Sequence, residues 1–157
     1  MQDARFADAD PRPLALMAAD DADLRVISAL SQDAVLPGSD IIYDSRARQV
    51  ALLLNRFRWE DATDAEREGR AFERVRSVLL IRDALRLQSD GITRDGETVL
   101  ELLAVQWQPG DDGTGRLVLD FAGDGSLAVD CECLNVELRD VTRPYAALSG
   151  RKPVHPD

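Results

Sequence analysis

The chain has 157 residues, enough for one domain with a sizeable core, and a formal net charge of −10. That acidity argues against a general binder of nucleic acid or of anionic membrane surfaces, and it favours a cytoplasmic protein. No run of about eighteen apolar residues marks a membrane span, no basic start followed by an apolar core marks a secretory signal, and two nearby cysteines make no disulfide framework.

Residues 1–13 are polar and acidic and hold Pro11 and Pro13, which predicts a mobile or surface-lying arm. Leu14 to Met17 reads as a short first strand. Asp20 or Asp21 can cap a helix over Asp21 to Val35, whose Leu24, Ile27, Leu30, Ala34 and Val35 form one apolar stripe. Pro37-Gly38 ends it.

Two strand-forming runs follow, Ile41 to Tyr43 and Val50 to Leu54, joined by the polar Ser45 to Arg48. They predict a β-hairpin, although the turn lacks an Asn-Gly or Asp-Gly pair. Val50, Leu52 and Leu54 share one face, and Arg56 and Arg58 continue it. Either a bulge at Asn55 swaps the faces, or the strand leaves the core and exposes both arginines. The plainest expectation is that they are solvated or paired with acids, with Phe57 and Trp59 closing the core.

The acidic segment 60–70, EDATDAEREGR, predicts a solvated loop or a short exposed helical turn that can lie against Arg56 and Arg58. From Phe72 to Gln88 the pattern returns to strand, with Val75, Ser77, Leu79 and Ile81 on one face. Ser89-Asp90-Gly91 and Arg94-Asp95-Gly96 are turns. Val99, Leu103, Val105 and Trp107 are expected inward on the next strand. Leu117, Leu119 and Phe121 are expected inward on the one after it, and Leu127, Val129, Cys131 and Cys133 share a face on the last of the three. After Cys133 the apolar residues move to Leu134, Val136 and Leu138, a phase slip that predicts a bulge near Cys133-Leu134.

The order excludes regular βα alternation. It predicts an α+β domain over 14–141, mainly antiparallel β, followed by an irregular tail over 142–157. The sheet is curled into a barrel or layered as a sandwich, with a pleckstrin-homology-like barrel as one arrangement, and is covered by one N-terminal amphipathic helix.

The runs LLLNRFRWE (52–60), FERV (72–75), ELLAVQW (101–107) and VDCECLNVELRDV (129–141), with RKPVHP (151–156), resemble an uncharacterised bacterial family, domain of unknown function 2948. The resemblance extends from about Leu14 to His155. It implies a bacterial cytoplasmic protein with no assigned activity, and it brings no catalytic residues.

Cys131 and Cys133 alone do not fill a zinc site, and buried apolar-like thiols are the expected state. The only histidine, His155, sits in the Pro-rich tail without a marked nucleophile. Gly110 to Gly115 lacks the lysine of a phosphate loop and does not open a helix. No catalytic residue, metal or cofactor is assigned. The best functional candidate is a basic, aromatic surface of Arg56, Arg58, Trp59, Arg74 and Arg76, whose arginines would meet across paired strands.

The favoured function is a small cytoplasmic non-catalytic binding or protein-interaction module with an unknown protein partner. One alternative is an enzyme, or an accessory to one, that holds an anionic metabolite on those arginines. The other is a self-associating structural protein, a homodimer built on an uncovered sheet edge or on the Trp59 and Trp107 surfaces.

Overall fold

The computed structural model describes residues 13–146 together with Lys152 and Pro153. The expected N-terminal arm up to Arg12, most of the tail beyond Ala146, and His155 lie outside the described residues. Elements follow in chain order: β1 (Ala15–Ala18), α1 (Asp21–Ser31), β2 (Val35–Pro37), β3 (Ile41–Asp44), β4 (Gln49–Phe57), α2 (Trp59–Glu68), β5 (Glu73–Ile81) and β6 (Ala84–Asp90). After them come β7 (Val99–Pro109), β8 (Gly115–Phe121), β9 (Ser126–Cys131), β10 (Val136–Asp140) and β11 (Tyr145–Ala146).

The strands pair in the order β1-β10-β5-β4-β2-β7-β8-β9-β6, with β3 also on β4 and β11 also on β5. Every pairing is antiparallel. The sheet curls without closing. At the start of β6 the Ala84 N–H donates to the Arg48 carbonyl beside β4 at 2.9 Å, but β6 and β4 form no ladder. The expectation of a closed barrel is corrected to an open, curled sheet.

Period-two alternation fills the core. Val50, Leu52 and Leu54 of β4, Val75, Leu79 and Ile81 of β5, Leu117 and Leu119 of β8, and Leu127 and Val129 of β9 are all buried. The β3–β4 turn works without an Asn-Gly pair. The Asp44 carboxylate accepts from the N–H groups of Arg46 and Ala47, and Arg48 takes a left-handed φ of 57°.

The first helix is shorter than its apolar stripe suggests. Asp20 caps it by accepting from the Asp23 N–H at 2.8 Å. Leu24, Ile27 and Ser31 face inward. The chain then leaves the helix, Asp33 adopts a φ of 66°, and Val35 enters β2 instead of a fourth helical turn. Asp tolerates this left-handed conformation better than most residues. Ala34 and Val35, read as the end of a helix stripe, belong to a strand entry instead, whose buried residues are Ala34 and Leu36.

The segment expected as a solvated loop or a short exposed helical turn is a ten-residue helix, α2, with one side buried. It buries only small or acidic residues, Asp61, Ala62 and Ala65. Gly69, at a φ of 70°, closes it by donating to the Ala65 and Glu66 carbonyls.

Two phase expectations are corrected. In β7 a register shift between Leu102 and Ala104 marks a bulge at Leu103. It places Leu100, Leu102 and Val105 inward and leaves Val99 70% exposed, so Val99 and Leu103 do not share the face of Val105. The slip at Cys133-Leu134 is no bulge: β9 stops at Cys131, β10 starts at Val136, and each strand keeps its own phase. In the expected irregular tail, β11 pairs Tyr145 and Ala146 with Arg74 and Glu73.

Gly115 opens β8 beneath the Trp107 indole. A Cβ there would stand 2.4 Å from the ring and 2.6 Å from the Gln108 carbonyl oxygen. Replacing Gly115 by Ala should lift Trp107 from its seat and destabilise the fold by about 1–3 kcal/mol, read as a lower urea midpoint.

Candidate functional site

Arg56 is the next inward position of β4 after Leu54, and the ladder with β5 runs unbroken through it to Phe57 opposite Arg74. There is no bulge at Asn55, and the strand does not leave the core. The Arg56 side chain is 0% exposed. A charge at that depth must find partners, and three elements supply them.

From β10, Asp140 stands directly opposite Ser77 of β5. Arg56 Nε donates to Ser77 Oγ at 3.0 Å, and Nη2 donates to Asp140 Oδ1 at 3.0 Å. Ser77 Oγ donates to Asp140 Oδ1 at 2.7 Å. From the first turn of α2, Glu60 accepts from Arg56 Nη1 at 2.9 Å and from Nη2 at 2.8 Å, a two-pronged carboxylate–guanidinium pair. Asp140 also accepts the Leu14 N–H at 2.9 Å, which ties the entry of β1 to the same cluster.

Burial alone would lower the Arg56 pKa. The bonds to Glu60 and the charges of Glu60 and Asp140 outweigh it and raise it. Burial alone would likewise raise the Glu60 pKa, but its bonds to Arg56 hold it below the ordinary carboxylate value.

Arg58 sits at the joint between β4 and α2, with 7% of its side chain exposed. It pairs with Glu73 and approaches Glu60 and Asp61. Asp61 in turn accepts two bonds of 3.1 Å from Arg70, and these bonds raise the Arg70 pKa. Trp59 packs edge-on against Phe57 at 4.7 Å and donates from Nε1 to the Gln32 carbonyl at 2.9 Å. It is thus a tie between α2 and the end of α1.

Arg74 and Arg76 do not join this cluster. Arg74 lies opposite Phe57 and Arg76 opposite Asn55, on the face of the sheet away from Arg56. Arg74 reaches Asn55. Arg76 is exposed and lines a shallow groove of about 180 Å³ with Asp40, Leu53, Asn55 and Val99. The expected meeting of four arginines across the ladder therefore fails on register. Alternate strand residues point to opposite faces, and Arg56 on β4 is even in the inward phase while Arg74 and Arg76 on β5 are even in the outward one.

The two cysteines are separated by the break after β9. Cys131 is buried, and burial pushes its thiol up to about 12. Cys133 is exposed and donates to Asp83 Oδ2 at 3.3 Å. Among the described residues no group of three or more His, Cys, Asp or Glu could hold a metal ion. No helix among them is long and apolar enough to cross a membrane.

A larger groove lies elsewhere, between α1 and β7, with a volume of about 540 Å³. Asp21 and Arg25, which pair with each other, Ser28, Ala29 and, just past the helix, Gln32 form one wall, and Leu103 to Gln108 form its strand wall. The Val105 N–H donates across it to Ser28 Oγ at 2.9 Å. Sequence reasoning missed this groove because the apolar run from Val99 to Val105, interrupted only by Glu101, hides the register shift at Leu103 beside it.

The family described as a protein of unknown function, DUF2948, matches residues 14–155. No curated protein and no solved structure matches the chain.

Replacing Arg56 by Met should leave Asp140 and Glu60 facing a buried void of charge and cost about 3–5 kcal/mol, read as a fall in the urea midpoint. Glu60 has a folded pKa below its unfolded one, so its contribution is complete above about pH 4.3 and fades as pH drops through the folded value. Glu60→Gln should therefore be less stable than the parent at neutral pH, with the gap narrowing below about pH 4.3. A gap that stays constant across that range would contradict the pairing.

Proposed function

This chain belongs to the DUF2948 family, and we propose that it is a small cytoplasmic, non-catalytic interaction module whose recognition surface is the groove between α1 and β7. The observation that carries this reading is the contrast between two places. The arginines of the buried cluster are already matched by carboxylates of the same chain. The groove is open and lined mainly by neutral side chains, with Ala29, Gln32, Gln106 and Gln108 among them.

An anionic metabolite would have to displace Glu60 or Asp140 from a guanidinium with no exposed surface. That exchange is costly, because each displaced carboxylate must regain water while the ligand loses it. The acidic surface also disfavours close self-association, since two copies would each bring a charge of −10.

A photo-crosslinking residue at Gln106 should give a discrete protein adduct in bacterial cytoplasmic extract. The same residue at Arg86 on β6 should not, and Ala29→Trp should abolish the adduct by filling the groove. Equal adducts from both positions would sink the reading. So would their absence alongside a thermal shift from phosphorylated or carboxylated metabolites.

A further inference from the structure

The free side of β7 has a specific chemistry. Up to Leu102 that side is taken by β2 and its approach, since Leu102 donates to the Ala34 carbonyl and accepts from the Asp33 N–H. Its opposite side is held by β8 from Leu102 to Pro109. Beyond Leu102, among the described residues, no strand lies along the β2 side of β7.

The bulge at Leu103 then shifts the alternation by one residue. Val105 turns its N–H to Ser28 on α1, away from β8. Main-chain groups two residues apart on a strand point the same way, so the Val105 carbonyl and the Trp107 N–H and carbonyl also face the groove. Ser28 closes this row at one end. Pro109, which has no N–H, closes it at the other.

Strand edges without a neighbouring strand are commonly blunted by charged residues or covered by a helix, and α1 reaches this one at Ser28. In a chain that is 31% charged, the edge from Leu103 to Gln108 carries no charge at all. We infer that the groove takes an extended segment of a partner polypeptide, which adds to the free side of β7 as one more strand. This rests on the interaction reading above and names its mode.

The ladder is short, with the Val105 carbonyl and both Trp107 groups as its main-chain contacts. Recognition must therefore lean on side chains. Ala29 and Ala104 leave room for a partner residue above the strand, and the Gln32 and Gln106 amides can each donate and accept. The acidity of the chain makes a second copy the poorer occupant.

The test uses the full chain and short linear peptides recovered from a random displayed library. Amide exchange is followed by NMR. In the free protein the Trp107 amide should exchange quickly and the Gln106 amide, which faces β8, slowly. Saturation with a recovered peptide should slow Trp107 at least about tenfold, and N-methylating the peptide residue that faces the Trp107 carbonyl should weaken binding about tenfold, equivalent to one lost main-chain bond.

Three results would overturn strand addition. The Trp107 amide is already protected in the dilute free protein, so the groove is filled by its own chain. Its protection rises with protein concentration alone, so the occupant is a second copy. Or recovered peptides bind without protecting it. If the Gln106 crosslinker still captures one partner, the interaction reading survives and only the strand mode fails.

Discussion

A guanidinium placed on the inward face of a central strand organises this molecule. Arg56 continues the apolar register of Val50, Leu52 and Leu54, and a lone charge there would be incompatible with a folded core. The carboxylates that neutralise it come from two other elements, Glu60 on the helix that follows and Asp140 six strands later in sequence. Satisfying Arg56 therefore fixes where α2 starts, how β10 aligns with β5, and, through the Leu14 N–H on Asp140, where β1 enters. Such a cluster stabilises little against a well-packed apolar alternative. Its physical effect is on register: a slip of β10 by one residue would take Asp140 away from both Ser77 and Arg56.

Much of the sheet was legible because one buried face imposes alternation. The inward faces of β4, β5, β8 and β9 follow from period two alone. The failures occur where another rule competes. Asp33 follows the early end of α1 with a left-handed backbone that no apolar pattern encodes, and Ala34 fits helix spacing from Ile27 and Leu30 as well as strand spacing with Leu36. The second helix was obscured because its inward side is alanine and aspartate, not leucine. Its signals were present in capping chemistry instead: Glu60 and Asp61 in the first turn, Arg67 in the last, and Gly69 just beyond.

The arginines show which features of a charged stretch can be read from sequence and which depend on register. Their neutralisation by the 60–70 segment was foreseeable from its acidity. Their burial was not, because a pair of arginines at a strand end usually means the core has ended. Register decided the matter, separating Arg56 from Arg74 and Arg76 by the thickness of the sheet. The groove beside α1 left no such mark in the sequence, since a single extra residue at Leu103 re-aims the backbone and changes no side-chain type.

The placement of the two indoles has a practical outcome. Trp59 fastens the start of α2 to the Gln32 carbonyl, and Trp107 lies across Gly115 in the strand facing α1. No other tryptophan exists in the chain. Tryptophan emission thus arises from two stations only, one at the helix joint beside the ionic cluster and one in the groove wall. Single Trp-to-Phe variants turn each into a separate optical gauge of its own neighbourhood.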